Sequence, residues 1–347
     1  MTVKFTVSAY LAVAKKHPIG GMTSMILQEF PTHTEERVAT AVRNGLGSRA
    51  KRLPPWLFYD EAGSRLFDEI TERPEYYLTR TERGIFLDFL DEILERASGG
   101  ARLRITELGA GSAEKTLLLL AGALRRQGPV VYEPMDVSVS ALAAARERIE
   151  REIAGVSVAP RAMDYTNGLK FEPAGKGERR LVLYIGSSIG NFEPEEAARL
   201  LRKIRTELKQ GDVLLLGVDL VKDEATLLAA YDDAAGVTAD FNLNLLSRFN
   251  RELGADFELD AFRHLAVWNA AKSRIEMHLE SRVEQTVRLA ALDMRVEFAE
   301  GERIHTENSY KYRPGQAEAM LAEAGFAPAG SWTDARGWFG VCLGQAE

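Results

Sequence analysis

Arg104-Ile105-Thr106-Glu107-Leu108-Gly109-Ala110-Gly111 is the stretch whose reading decides the fold. A run of strand length stops at two glycines, and a leucine- and alanine-rich stretch of helical length follows. Such a turn, from a first strand into a first helix, lets bare backbone approach a ligand and aims helix N–H groups at it. The dinucleotide fingerprint needs a further glycine, and Ser112-Ala113-Glu114 stand there instead. Taken alone, the match is weak, since a tight structural turn is also open to it.

The same rhythm continues downstream. Short apolar runs at 104–108, 130–137, 156–163, 181–185 and 212–220 alternate with helical patterns at 113–126, 138–153 and 194–208, which predicts βαβ units and a parallel sheet. After Val221 the rhythm breaks into helices at 224–234 and 237–253, then alternating segments at 273–283, 286–292, 294–298 and 303–310. A helix at 314–324 and a closing hairpin from 330–333 and 338–343 return to the main sheet. Upstream, helical spacing appears at 34–46, 63–72 and 80–97, the last two joined by Pro74-Glu75-Tyr76-Tyr77. The expectation is an α/β protein. Its main domain comprises 80–221 and 311–347, and a discontinuous α+β domain comprises 31–79 and 222–310. Residues 1–30 read as an extension with no assigned role.

Composition excludes several classes. Lys and Arg total 44 against 51 Asp and Glu, with no dense basic run to neutralise phosphates, so nucleic acid is not an expected partner. No stretch reaches the roughly 18 apolar residues of a membrane span, so no membrane partner is expected. Lys15 and Lys16 follow the apolar 11–14 where a signal peptide would need a small-residue cleavage site, so a cytoplasmic location is expected; separately, the protein is expected to be a monomer. The single cysteine, Cys342, permits no internal disulfide or multi-cysteine metal site, and no metal is expected.

Further strand ends strengthen the loop. Asp136 ends the second strand, where such folds hold ribose hydroxyls, and Asp164-Tyr165 ends the third, an acid and a ring suited to adenine. These features converge on an adenosine-bearing ligand, S-adenosylmethionine (SAM), in one crevice. A competing reading comes from Gly186-Ser187-Ser188-Ile189-Gly190, which matches the G-x-S-x-G elbow of serine hydrolases, with His264, His278 and His305 downstream. The elbow needs its helix to start directly after the serine, whereas Asn191-Phe192-Glu193 delays it to Pro194. In 303–310 the two-residue period puts Ile304, Thr306 and Asn308 on one face and His305, Glu307 and Ser309 on the other. A catalytically silent binding module on the same fold is the third reading.

Together the segments resemble one family, the histidine Nα-methyltransferases of ergothioneine biosynthesis. The resemblance is carried by Phe58-Tyr59-Asp60-Glu61-Ala62-Gly63-Ser64, Pro74-Glu75-Tyr76-Tyr77-Leu78-Thr79-Arg80, the glycine loop through Lys115-Thr116, and Gly186 to Asn191. It continues through Leu216-Gly217-Val218-Asp219-Leu220-Val221-Lys222, Tyr231-Asp232-Asp233, Phe241-Asn242, Arg274-Ile275-Glu276-Met277 and Glu307-Asn308-Ser309. It implies a Rossmann-like class I methyltransferase sheet, SAM as methyl donor, and trimethylation of free L-histidine to hercynine.

By that resemblance Gly109, Gly111, Lys115, Asp136, Asp164, Tyr165 and Gly186 bind SAM. Tyr59, Asn191 and Tyr231 hold the α-amine and α-carboxylate, with Tyr59 and Asn191 nearest the chemistry. Phe67 and Tyr76 are pocket aromatics, Glu307 and Ser309 hydrogen-bond the imidazole, and Met277 packs beside them. Ser188 stands where close relatives are expected to carry threonine. The residues alone leave open another free aromatic amino acid as substrate, or fewer methyls.

Overall fold

A computed structural model describes residues 33–347 apart from Ser112, Glu114 and Asn167. The expected extension at 1–30 lies outside the described residues. The chain divides into two compact units, one of Leu78–Leu220 with Tyr312–Glu347, the other of Val221–Lys311 with the described residues up to Tyr77.

In the first unit, helix α3 (Tyr77–Ser98, its first residue in the second unit) leads into β1 (Arg102–Leu108), α4 (Thr116–Gln127), β2 (Val130–Asp136) and α5 (Val139–Glu152). Then come β3 (Val156–Val158), β4 (Arg161–Ala162), β5 (Glu178–Tyr184), α6 (Pro194–Glu207) and β6 (Val213–Asp219). The unit closes with α9 (Gln316–Glu323), β12 (Phe326–Thr333) and β13 (Phe339–Ala346). The strand order is β12-β13-β6-β5-β1-β2-β3, with β4 also on β2. β1, β2, β3, β5 and β6 run parallel, while β13 is antiparallel to β6 and β12.

This is the expected Rossmann-like sheet. From β1 the chain first builds outward through β2, then crosses to β5, so the carboxyl end of β1 is a topological switch point, where ligands bind in open α/β sheets. The middle stretches of β5 and β6 are apolar because both faces are covered: Leu181 to Tyr184 and Val213 to Leu216 have no exposed surface. Charged side chains are sunk in the same sheet. Arg180 bonds to Glu133 and to Thr106 Oγ1, and Arg104 reaches Glu133 at 2.7 Å, so the buried ions are mutually compensated. Cys342 is buried in β13, and burial pushes its thiol up to about 12.

Two local expectations are corrected. The single strand expected at 156–163 is two short ones, because Pro160, with no N–H for the ladder, falls between them. The helix expected from Ala113 starts at Thr116, since Ala113 has φ of 53° and no right-handed turn passes through it.

The second unit holds α1 (His33–Leu46), α2 (Glu61–Thr71), α7 (Glu224–Ala229) and α8 (Val237–Leu253). Its strands are β7 (Phe262–Asn269), β8 (Arg274–Ser281), β9 (Gln285–Leu289), β10 (Met294–Phe298) and β11 (Arg303–Tyr310). They form an antiparallel sheet in the order β11-β8-β7 and a separate β9-β10 hairpin. β7 was not expected; as a half-exposed edge strand it lacks the alternation that announces β11. Among the described residues no helix is long and apolar enough to cross a membrane.

Candidate active site

The glycine loop after β1 is built by backbone conformation. Gly109 and Gly111 have φ of 70° and 49°, the left-handed region that L side chains rarely adopt. The Gly111 N–H donates to Asp136 Oδ2 at 3.2 Å, and Asp136 Oδ1 accepts the Ser138 N–H at 2.9 Å. The loop and the end of β2 are thus one assembly. Burial pushes the Asp136 carboxyl above its ordinary value, which the N–H groups of Ser138 and Gly111 only partly offset. A side chain at Gly109 would bring its Cβ to 3.4 Å from Tyr165 Oη, whereas the space over Gly111 is open. Asp164 Oδ1 is occupied by the Thr166 N–H at 3.0 Å and hydroxyl at 2.6 Å, which fixes the turn that carries Tyr165. These residues fit an adenosyl ligand: bare backbone, a carboxylate for hydroxyls, and a half-exposed ring beside them.

Lys115 and Gly186 meet through a residue the sequence did not single out. Glu82 of α3 is fully buried; it accepts Lys115 Nζ at 2.5 Å and the Gly186 N–H at 2.9 Å. It also explains Gly217, where a Cβ would stand 2.1 Å from Glu82 Oε1. Nothing in Thr79-Arg80-Thr81-Glu82 distinguishes this glutamate from those on solvated helix faces; its burial is a tertiary fact. Glu107 is a second buried acid, hydrogen-bonded by Tyr132 and by Thr116 at 2.7 Å, and desolvation pushes it up to about 7.

The serine of the elbow-like motif is not poised as a nucleophile. Ser188 Oγ donates to the Ile185 carbonyl of its own turn at 3.1 Å. Besides Gly186, the left-handed residue is Ser187, with φ of 60°, whose hydroxyl accepts the Asp219 N–H at 2.9 Å. A short 3-10 turn, Ser188–Asn191, precedes α6, whose start carries Pro194 and a Glu193/Glu196 capping box. Asn191 ends that turn in the first unit.

The other acceptor residues all lie in the second unit, where a series of ring contacts joins Tyr59, Phe67, Tyr76 and Tyr231. Tyr59 meets Phe67 edge to face at 5.8 Å, Phe67 meets Tyr76 at 6.2 Å, and Tyr76 meets Tyr231 at 6.3 Å. Phe241 backs the series at 6.0 Å from both Tyr59 and Phe67. Tyr59 is anchored by its neighbour Asp60, which caps α2 through the Gly63 N–H at 2.7 Å and binds Asn244 and Arg251 at 2.8 and 2.6 Å. Burial raises the Asp60 carboxyl, but those donors outweigh it and hold the group below its usual value. Gly63 is required there, since a Cβ would stand 1.8 Å from the Phe58 carbonyl oxygen. At the far end, His264 accepts from Asn242 Nδ2 and donates from Nε2 to the Tyr231 carbonyl, each at 2.8 Å.

Tyr231 Oη then lies 2.6 Å from Ser309 Oγ. The resemblance gave these two to opposite ends of the substrate, yet they form one hydrogen-bonded unit, completed by Lys311. The buried Lys311 Nζ donates to Tyr231 Oη at 2.8 Å and Ser309 Oγ at 2.9 Å. Lys311 was missed, although it follows Ser309 at the strand period.

The face assignment for β11 needs correction. Register shifts between His305 and Glu307, so that His305 faces His278 while Glu307 faces Met277, and Thr306 is the extra residue of a β-bulge. His305 therefore lies with Asn308, which it meets at 2.9 Å, and not with Glu307 and Ser309. Glu307 and Ser309 keep a common face because the bulge precedes both; they share it with Met277 and Ile275. Desolvation there pushes Glu307 up to about 7, against a downward pull from Lys311. Among the described residues no group of three or more His, Cys, Asp or Glu side chains is placed to hold a metal.

Comparison with known proteins agrees with the family expected from the motifs. Residues 38–346 match the family described as histidine-specific methyltransferase, SAM-dependent. The chain is 48% identical over 314 residues to the histidine N-alpha-methyltransferase of Mycolicibacterium smegmatis, covering 89% of this chain and 94% of that one. It is 46% identical over 303 residues to the histidine N-alpha-methyltransferase of Mycobacterium tuberculosis, covering 87% and 92%. Ergothioneine biosynthesis protein 1 of Neurospora crassa is 30% identical over an aligned length of 306 residues, covering 82% of this chain and 32% of that larger protein. With a match across almost every described residue, this chain belongs to the family of SAM-dependent, histidine-specific methyltransferases.

Proposed function

We propose that the protein transfers methyl groups from SAM to the α-amine of free L-histidine, three times, giving hercynine. The observation that carries this reading is the polar end of an otherwise aromatic series: the half-buried Glu307 and the buried Ser309 share one strand face beside the buried Met277, suited to a ring with two nitrogens. SAM supplies an electrophilic methyl on a sulfonium; Gly109, Gly111, Asp136, Asp164 and Tyr165, with Lys115 and Gly186 held by Glu82, are the residues suited to hold it.

Displacement at a methyl group asks the protein mainly for positioning. Each transfer forms an N–C bond as the C–S bond breaks, and the amine must have lost a proton to water beforehand. An α-amine at a chain terminus titrates at roughly pH 8, and that of a free amino acid, beside its own carboxylate, titrates higher, so only a minor fraction is neutral at about pH 7 and the site must take up that fraction. In this reading Tyr59 and Asn191 orient the nitrogen, and the rings of Tyr59 and Phe67 accommodate the growing cationic ammonium. The test is incubation with SAM and a panel of free amino acids, followed by mass spectrometry. A gain of three methyl groups on histidine alone is expected; no product, or preferred methylation of another amino acid, overturns the reading.

A further inference from the structure

The triangle of Lys311, Tyr231 and Ser309 dictates where its protons go. A hydroxyl offers one proton and two lone pairs. Lys311 spends a donor on each oxygen, and the 2.6 Å contact between the oxygens requires one hydroxyl proton to bridge them. A phenol is the stronger acid and an alcohol the better acceptor, which favours Tyr231 as the donor of the bridging proton. Ser309 Oγ then accepts from both Lys311 and Tyr231. With both lone pairs taken, it has only its own proton to present to a ligand.

We infer that Lys311 is a positioning residue that makes Ser309 an obligate donor, so that the site selects a ring carrying a bare acceptor nitrogen as well as an N–H. This rests on the reading above, that histidine is the substrate and that Ser309 meets its ring. Glu307, on the same face, is the complementary acceptor for the ring N–H. Together they match a neutral imidazole, which has one nitrogen of each kind. Without Lys311, the Ser309 proton is free to turn to Tyr231 Oη, and a ring lacking the acceptor nitrogen then leaves nothing unpaired.

The test compares kcat/KM for histidine with that for the two pyrrolylalanine isomers, which keep a ring N–H and replace the acceptor nitrogen by carbon. Wild-type protein should prefer histidine by about 10- to 100-fold, the effect of leaving a buried donor unmet. Lys311→Met should shrink the preference to about threefold or less, while Lys311→Gln, which keeps amide N–H donors in similar volume, should retain most of it. A wild-type preference under about threefold, or Met and Gln variants that change alike, overturns the inference. If Lys311→Met yields no folded protein by circular dichroism, the Gln variant decides: retained preference supports the role and lost preference refutes it. Wild-type protein that makes no methylated histidine refutes the proposed function itself; wild-type protein that methylates histidine without discrimination refutes only this inference.

Discussion

Glu307 stands directly opposite Met277 across β11 and β8, because Thr306 is accommodated as an extra residue just before it. That pairing turns a carboxylate onto a face shared with Ser309. If it receives an imidazole N–H there, Glu307→Ala should raise the KM for histidine by about 10- to 100-fold with little change in that for SAM. Steady-state kinetics in both substrates checks this, and equal effects on the two would remove Glu307 from the histidine site.

Glu307 should also leave a signature on stability. Its carboxyl is raised to about 7 from 4.5, so between these values the folded chain keeps a proton that the unfolded chain has released. The stabilisation is complete below the unfolded value and is lost as pH rises through about 7. Glu307→Gln cannot ionise, so its melting temperature relative to wild type should rise between about pH 5 and pH 8 in the absence of ligand. A constant difference across that window would refute the shift.

Glu82 ties Lys115 to the Gly186 turn, so Glu82→Gln should loosen both. Replacing a charge-assisted bond by a neutral one should weaken SAM binding about tenfold by calorimetry. A lowered melting temperature with unchanged SAM affinity would make Glu82 a structural residue only.

Asp136→Ala removes the carboxylate that accepts the Gly111 N–H. The expectation is a weaker SAM complex, by about tenfold or more, with the KM for histidine much less affected. Calorimetry showing wild-type affinity would count against a contact to the ribose.

Away from the site, Glu133→Gln should be costly. Glu133 and Arg180 are 1% and 2% exposed, and breaking a buried ion pair leaves an uncompensated charge worth about 3–5 kcal/mol. Urea unfolding should show a loss of that order with an unchanged slope; a loss within about 0.5 kcal/mol would mean that the network relaxes around the change.

Much of this was written locally. The strand ending at Leu108, the glycines at 109 and 111, and Asp136 at the end of β2 follow from apolar runs and turn residues adjacent in the chain. Pro194 opens α6 as its fixed φ requires, and Glu307 and Ser309 share a face because no irregularity falls between them. Period and turn chemistry belong to neighbouring residues, and a sequence displays them directly.

What only the tertiary structure decided is everything set by a distant partner. Thr306 shows no mark of a bulge, because an extra residue is defined against β8 rather than within β11. Glu82 is buried only because Lys115 and Gly186 close over it from elsewhere in the unit, and Lys311 is a donor to two hydroxyls only because Tyr231, 80 residues away, packs against Ser309. The sequence by itself determined the methyl-donor fold and named most of the side chains; the orientation of those side chains, and the partners each one meets, came from non-local packing in which a charge or hydroxyl is tolerated only where another part of the chain supplies its partner.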